Sequence, residues 1–223
     1  MNMKLNSRWV WLPALLTSVG AGLAAPAAFA ADPASDLYIG ASVSSKSASS
    51  LGGGIDTALA NQGLGSSTSV GNSSTNPGLR LGYRINPNFA VEATYDRAGV
   101  MNLQSSIASP AADTASGSWK ANGIGLHALG ILPIDSKWSV YGRLGVEQWH
   151  TSLNLASNAG GATSVSNTSS NTSLAVGAGT AYALTPNLDV TAELVRYNRV
   201  GDPASTGRVG LSDFNIGLRY HFL

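Results

Sequence analysis

The clearest candidate for covalent chemistry is a histidine and a serine two positions apart, in His150-Thr151-Ser152. On a β-strand these two side chains share a face, so the imidazole could activate the hydroxyl as a nucleophile. A third group would have to orient the histidine, and no carboxylate follows at nearby spacing, since the next acidic residue is Asp189. A histidine among serines and threonines at a strand end is more often an interfacial polar residue. We therefore expect no catalytic residue and no enzyme.

Metal, redox and nucleotide chemistry have still less support. The histidines His127, His150 and His221 fall in three separate segments, and the chain has no cysteine. Without cysteine there is neither a disulfide framework nor a Cys zinc site. No glycine-rich phosphate loop follows a strand and opens a helix. The sequence therefore predicts no bound metal and no cofactor.

The other candidates are arginines and carboxylates, whose placement depends on the strands that carry them. The end of the chain shows the pattern most clearly, because strict alternation along a strand separates two faces. The apolar face comprises Phe214, Ile216, Leu218, Tyr220 and Phe222, and the polar face comprises Asn215, Gly217, Arg219 and His221. An apolar outer face and a polar inner face are typical of a transmembrane β-barrel.

Seven further segments alternate in the same way. The eight predicted strands cover about residues 36–45, 77–86, 88–98, 118–132, 137–152, 171–184, 187–198 and 214–222. Short turns alternate with long connections over about 46–76, 99–117, 153–170 and 199–209. This asymmetry places the short turns in the periplasm and the long loops outside the cell. We expect the Ser-, Gly- and Asn-rich loops to be mobile, and parts of the first to extend the strands above the membrane.

The N-terminus has the layout of a secretory signal peptide. Lys4 and Arg8 precede an apolar stretch that ends in Ala28-Phe29-Ala30, a small-x-small cleavage pattern. A membrane anchor helix is the alternative, but prolines and glycines interrupt the apolar run. We therefore predict a signal peptide over residues 1–30, cleaved near Ala30, and one barrel domain over 31–223.

Composition agrees with a membrane-embedded domain. Only 11% of residues are charged, whereas about 25% is usual in soluble domains. Without Lys4 and Arg8, 11 basic side chains face 12 acidic ones, a net charge near −1 that gives no reason to expect nucleic-acid binding. The predicted fold is an all-β, eight-stranded antiparallel up-and-down transmembrane β-barrel. A soluble β-sandwich remains the alternative, and a larger porin would not fit this length.

Strand parity places a set of charged residues inside the barrel. Such a lumen is just wide enough for side chains to fill, and buried charges must be paired. The network would be either a static plug or a gate in which exchange of ion-pair partners opens a narrow pore. The predicted members are Arg80, Glu92, Arg143, Glu147, Glu193 and Arg219, together with Asp213 and His127.

Several segments resemble the OmpA-like transmembrane domain family. Residues 78–92 resemble its second hairpin, residues 138–145 its fifth strand, and residues 197–202 with the closing strand its last loop and final strand. The resemblance implies that Glu92 and Arg143 form the family's interior acid–arginine pair. It also implies that the barrel-assembly machinery reads a C-terminal signal in Asn215, Gly217, Tyr220 and Phe222. Leu223 departs from this pattern, because the usual last residue is aromatic.

The resemblance sets our expectations for function. Well-known family members carry a peptidoglycan-binding domain after the barrel, but no such segment follows here, so we do not expect that tethering role. We expect a monomeric outer-membrane protein of a Gram-negative bacterium with a structural or surface-interaction role. A low-conductance porin for small solutes is the alternative. The expected partners are outer-membrane lipid and lipopolysaccharide, the barrel-assembly machinery and periplasmic chaperones, and host or phage surfaces that meet the loops.

Overall fold

A computed structural model of the chain describes residues 36–71, 75–161 and 163–222. The predicted signal peptide lies outside these described residues. No helix in the described part of the chain has the length and apolar character needed to cross a membrane. The elements are β1 (Asp36–Ser49), α1 (Leu51–Ala60), β2 (Gly65–Val70), β3 (Asn76–Asn86), β4 (Phe89–Ser109), β5 (Asp113–Pro133), β6 (Trp138–Ser157), β7 (Ser164–Thr185), β8 (Leu188–Val200) and β9 (Val209–Phe222).

Eight of the nine described strands close into an antiparallel barrel, as the alternation predicted. Their order around the barrel is β1, β3, β4, β5, β6, β7, β8 and β9. The first and last strands meet along their length, because β1 pairs with β9 from Leu37 opposite Phe222 to Ser49 opposite Gly210. Pairing of consecutive antiparallel strands is the up-and-down topology. The ninth strand, β2, pairs only with the far end of β4.

Four barrel strands are much longer than a membrane crossing requires. β4, β5, β6 and β7 contain 21, 21, 20 and 22 residues, whereas about 9–11 residues cross a bilayer. Beyond the apolar outer band they continue as a sheet at the end opposite the short turns. Most of the segments predicted as loops over 46–76, 99–117 and 153–170 therefore form strand or helix.

Parts of the first connection extend the barrel strands as expected, since β1 continues to Ser49. The strands in the other long connections were not predicted, because their inward apolar residues are spaced among serines. Leu103, Leu153 and Leu155 alternate with polar residues and are at most 3% exposed. In β4 the alternation resumes only after a bulge at residues 98–99, where Gly99 has a φ of 70°. The bulge inserts one extra residue and so shifts the alternation of inward and outward side chains by one position. Met101 and Leu103 therefore point inward although they do not continue the pattern of the preceding segment.

The helix α1 lies in the mouth of this extended part of the barrel. Its residues Leu51, Ile55, Ala58 and Leu59 are all buried. These positions recur every three or four residues, which places them on one face of a helix. That face packs on the inward apolar side chains of the long strands. The first long connection is therefore a folded helix and strand that close the mouth.

Candidate functional site

The lower lumen, the part nearer the short turns, is filled by an ion network. Glu92 on β4, Arg143 on β6 and Glu193 on β8 point inward and are at most 4% exposed. The guanidinium of Arg143 donates one hydrogen bond to Glu92 Oε2 and another to Glu193 Oε1. One arginine therefore bridges two carboxylates on strands from opposite parts of the sheet. The acid–arginine pair that the resemblance implied is in direct contact.

Arg80 on β3 contacts the same two carboxylates and also a residue of the last strand, β9. Its Nη1 lies 2.6 Å from Glu193 Oε2 and 3.7 Å from Glu92 Oε2. Its Nη2 donates to Asn215 Oδ1 at 2.9 Å. Asn215, a member of the predicted assembly signal, is therefore also a neutral partner of a buried arginine.

Arg219 completes the network from β9. Its Nη2 lies 3.4 Å from Glu92 Oε1, which also accepts a hydrogen bond of 2.8 Å from the Tyr38 hydroxyl. The guanidinium carbon lies 4.7 Å from the centre of the Tyr38 ring and 5.6 Å from that of Tyr141, within cation–π range. We call Arg80, Glu92, Arg143, Glu193 and Arg219 the lumen network; three arginines and two glutamates give it a net charge of +1.

Three predicted members lie outside the lumen network; two of them are Asp213 and His127, and the third is Glu147. Its carboxylate is fully buried, and neither oxygen has a hydrogen-bond partner among the described residues. His127 Nε2 lies 3.5 Å from Glu147 Oε2 and 3.0 Å from Thr94 Oγ1. A Cβ added at Gly123 would lie 2.1 Å from Glu147 Oε1, so this glycine provides the space that the carboxylate occupies.

Sequence reasoning missed a lysine-centred cluster at the same level. Lys46 Nζ lies 2.7 Å from Asp213 Oδ2 and 3.2 Å from Asp96 Oδ1, and it donates to Ser44 Oγ at 3.0 Å. All four residues are buried. The sequence did contain a signal for this cluster. If the alternation of β1 is extended past the predicted end of the strand at Ser45, Lys46 is the next inward-pointing residue.

The upper lumen is closed by apolar side chains rather than ions. We call this cluster, together with α1, the apolar cap. Its buried members include two tryptophans from neighbouring strands, Trp119 and Trp149. The other large members are Leu51, Ile55, Leu59, Met101, Leu103, Ile107, Leu153, Leu155, Val165, Val195, Tyr197, Val200, Val209 and Leu211. Trp119 Nε1 donates to the Thr206 carbonyl at 3.1 Å, so the last long connection is also fixed to the cap.

Asp56 and Gly52 hold α1 against β2. The Asp56 carboxylate accepts hydrogen bonds from the Ser66 and Thr68 hydroxyls, both at 2.7 Å, and from the Thr68 backbone N–H at 3.2 Å. A Cβ at Gly52 would lie only 2.3 Å from the Thr68 carbonyl oxygen, whereas one at Gly53 would meet nothing within 4 Å. The helix therefore approaches the strand closely at a position where only glycine fits.

The four residues of the predicted assembly signal lie on both faces of β9. Tyr220 and Phe222 point outward near the short turns, with their ring centres 5.2 Å apart in an edge-to-face arrangement. Gly217 lies close to β1, because an added Cβ would lie 2.8 Å from the Ala41 carbonyl oxygen. Asn215 points into the lumen, where its Oδ1 accepts a hydrogen bond from Arg80 Nη2.

The candidate nucleophile is not assembled. His150 Nδ1 lies 3.0 Å from Ser170 Oγ on the neighbouring strand, while the Ser152 hydroxyl accepts from Asn154 Nδ2 at 3.2 Å. His150 is exposed on the outer face of β6. The two side chains that could form a dyad thus have different partners.

The remaining histidine belongs to an ionic cluster near the short turns. His221 Nδ1 lies 2.6 Å from Asp36 Oδ2, and its Nε2 lies 3.0 Å from Asp189 Oδ2. Within residues 36–71, 75–161 and 163–222, no group of three or more His, Asp or Glu side chains has an arrangement that could hold a metal ion. The histidines are therefore assigned to hydrogen bonds and ion pairs rather than to ligand sets.

Solved structures of small outer-membrane barrels share this fold. The outer membrane protein OprG from Pseudomonas aeruginosa aligns over 85% of this chain and 96% of its own, with a TM-score of 0.55 and 17% identity. A major outer membrane protein from Thermus thermophilus aligns over 85% of this chain and 100% of its own, with a TM-score of 0.51 and 14% identity. At these identities the likeness concerns the fold.

Sequence comparisons place the chain in a family. It is 30% identical over 142 residues to outer membrane protein A of Salmonella typhi and 29% identical to that of Shigella flexneri. These matches cover 63% of this chain but only 38% of each relative. The outer membrane protein β-barrel domain family matches residues 14–222. The chain therefore belongs to the outer membrane protein β-barrel domain family and is a bacterial outer-membrane protein.

Proposed function

We propose that this protein is a closed structural barrel that presents a folded surface outside the cell. The observation that carries this proposal is the burial of the apolar face of α1 in the barrel mouth. Burying one Leu or Ile side chain stabilises a fold by about 1.5–3 kcal/mol. Ile55 and Leu59 have no exposed surface. Moving the helix away to open the mouth would therefore expose both side chains to water and lose the stabilisation that their burial provides.

Below the cap, the lumen network closes the barrel a second time. Its charged groups are held by hydrogen bonds from several strands, and removing one partner of a buried ion pair typically costs about 3–5 kcal/mol. Arg143 donates hydrogen bonds to both glutamates. A solute would have to separate these groups and also displace the cap. A static plug is therefore the role we assign to Arg80, Glu92, Arg143, Glu193 and Arg219, with Glu147 outside it.

A low-conductance porin is the second candidate, and one observation favours it. Glu92 is approached by three arginines, since Arg80 and Arg219 lie within 3.7 Å and 3.4 Å of its oxygens in addition to Arg143. Carboxylates that have several cationic neighbours can exchange partners without losing all of their pairing. Such exchange would open the lower lumen only. The apolar cap contains no charge that this exchange would move.

Solute permeation of vesicles tests the proposal. Purified mature protein would be refolded into liposomes, and swelling would be followed with sugars and amino acids of increasing size. We expect the swelling rate to equal that of protein-free vesicles at every protein-to-lipid ratio. A rate that rises with the amount of folded protein and falls with solute size would overturn the closed barrel and favour the porin.

Two further roles follow from the sequence and belong to biogenesis. We propose that residues 1–30 are removed on export, which N-terminal sequencing of protein from outer membranes would test. We also propose that Asn215, Gly217, Tyr220 and Phe222 form the signal read by the assembly machinery, with periplasmic chaperones as earlier partners. Phe222→Ala should then lower the amount of assembled protein in cells while purified protein still folds in detergent. Equal amounts of assembled protein for both forms would exclude this role for Phe222.

A further inference from the structure

A cleft of about 210 Å³ lies at the short-turn end of the barrel. None of the five residues of the lumen network lines it. One wall of the cleft carries short side chains, because Ser139 on β6 stands opposite Ala181 on β7 and Ala183 follows two positions later. Pockets for drug-sized ligands start at about 300 Å³, so this space suits a small molecule or an ion.

Arg84 on β3 lines the cleft with a charge that no described residue pairs. Its side chain is half-buried, and its Nε is buried without a hydrogen-bond acceptor. No carboxylate oxygen among the described residues lies within 4.0 Å of the guanidinium nitrogens. A guanidinium keeps its charge in proteins and has only donors, and a buried donor without an acceptor costs free energy. Arg84 therefore has donors available for a ligand in the cleft.

The acidic side chains near Arg84 are bonded to a histidine instead. Asp189, which also lines the cleft, has its Oδ2 3.0 Å from His221 Nε2. Asp36, opposite Arg84 in the strand register, has its Oδ2 2.6 Å from His221 Nδ1. The charge of Arg84 acts on Asp189 through space, but no hydrogen bond joins these two side chains. Both carboxylates thus have a partner other than the arginine.

A second cation stands at the rim of the cleft. Lys137 is exposed in the turn between β5 and β6, and its ammonium has no ion pair within 4.0 Å among the described residues. The Asp135 carboxylate of the same turn accepts hydrogen bonds of 2.7 Å from the backbone N–H groups of Lys137 and Trp138. Of the charged groups described around the cleft, the carboxylates therefore have partners and the cations do not.

We infer that this cleft binds a small phosphate dianion, either free or as a monoester. The forked guanidinium of Arg84 matches phosphate oxygens in a bidentate geometry, and Lys137 would add its charge from the rim. Two cations can balance two negative charges, which favours a dianion over a monoanion. Because no residue of the lumen network or the apolar cap lines the cleft, binding here is independent of whether the lumen conducts.

Isothermal titration calorimetry with inorganic phosphate tests the inference. The folded mature protein would be kept in a maltoside detergent, which contains no phosphate, at constant ionic strength and mildly alkaline pH. We expect a single saturable site. Arg84→Gln should weaken binding at least about tenfold, because a hydrogen bond to a charged group contributes about a tenfold factor or more. Lys137→Gln should weaken it about two- to fivefold, because an exposed charge contributes less.

A third variant narrows the cleft without changing its charge. Ala183→Leu would fill part of the space with a longer side chain and should abolish binding. Arg196→Gln serves as the control, because it removes one positive charge from an outward arginine of β8 that already donates to Ser212 Oγ at 2.6 Å. This control should bind phosphate within about twofold of the parent. Folding of every variant is verified by the mobility difference between heated and unheated samples on a gel.

Urea unfolding gives a second readout that separates binding from a structural role. A ligand that binds only the folded state stabilises it, so phosphate should raise the unfolding midpoint of the parent and not that of Arg84→Gln. Without phosphate the two proteins should unfold at the same urea concentration, because Arg84 has no ion pair among the described residues. An Arg84→Gln protein that is less stable without phosphate and still binds phosphate like the parent would overturn the inference.

Further probes identify the source of the phosphate. Glycerol phosphate that binds more tightly than inorganic phosphate would assign the cleft to a monoester, and equal or weaker binding would assign it to free phosphate. A short-chain phosphatidylglycerol should bind more weakly than either, because its phosphodiester carries a single charge. Tighter binding of this lipid, no binding of phosphate, or equal losses in Arg84→Gln and Arg196→Gln would contradict the assignment of the cleft.

Discussion

In the proposed closed barrel, two kinds of chemistry block the lumen at two levels. In the lower lumen, Arg143 and its neighbours fill the barrel with charges that satisfy one another. In the upper lumen, α1 and the long strands fill it with apolar side chains. The ion pairs of the first closure all come from barrel strands. The second closure also needs α1, which lies on a connection that folds back into the mouth. Because the two closures differ in chemistry, we expect substitution of charged residues to disrupt the lower one and substitution of buried apolar residues to disrupt the upper one.

The largest effect is expected from removing the bridging arginine. Arg143→Ala would leave Glu92 and Glu193 without their shared donor, which should destabilise the barrel by about 3–5 kcal/mol. Urea unfolding in lipid vesicles, followed by tryptophan fluorescence, would measure the change. Arg97→Ala, on the outer wall, should change stability by about 0.5 kcal/mol or less. If both variants unfold like the parent, the lumen network does not stabilise the fold.

A smaller effect is expected in the apolar cap. Ile55→Ala removes a fully buried side chain of α1, and such truncations cost about 2–5 kcal/mol depending on how far the site collapses. We expect a value near the lower end, because a helix on a connection can shift more readily than a barrel strand. Protease digestion of folded protein would locate the change, with faster cleavage within 51–60. Ala60→Ser, at an exposed position of the same helix, should be cleaved like the parent.

Two adjacent glycines of α1 sharpen the description of the cap. Gly52→Ala would force a Cβ against the Thr68 carbonyl oxygen and should destabilise by about 1–3 kcal/mol. Gly53→Ala meets open space and should stabilise by about 0.5–1 kcal/mol, because alanine favours the helix. The same unfolding experiment measures both. Effects of the same sign would mean that α1 does not approach β2 as described.

A still smaller effect separates Glu147 from the lumen network. Glu147→Gln replaces a buried carboxyl group that has no hydrogen-bond partner among the described residues, so stability should stay the same or rise slightly. Glu92→Gln, in contrast, removes the charge that three arginines share and should be strongly destabilising. A loss of stability for Glu147→Gln as large as that for Glu92→Gln would place both carboxylates in one network.

The smallest effect is expected in the short turn between β5 and β6, outside both closures. Hydrogen bonds from the backbone N–H groups of Lys137 and Trp138 hold the pKa of Asp135 below its usual value. A lowered pKa in the folded state stabilises the protein above the unfolded pKa, and this contribution is lost as the pH falls through the folded pKa. Asp135→Ala should therefore be slightly less stable than the parent at neutral pH and equal to it in strong acid. A difference that persists unchanged in acid would contradict this role.

The two closures also differ in how far the sequence predicted them. The five residues of the lumen network alternate with apolar residues in short segments. This alternation was sufficient to predict that they point into the lumen. The cap escaped prediction because its apolar residues are spaced among serines and because a bulge at Gly99 changes the parity of β4. Lys46 was missed for a related reason, since its strand runs past the point where the apolar alternation ends.

The central claim is that the lower and upper closures act in series. It is tested most directly by single-channel conductance in planar bilayers. The four proteins are the parent, Arg143→Ala, the cap variant Ile55→Asp/Leu59→Asp, and the combination of all three substitutions, each verified as folded and inserted. The account predicts that only the combined variant shows discrete openings. Openings in Arg143→Ala alone would contradict it, because the ion network would then be the whole barrier and the apolar cap would close nothing.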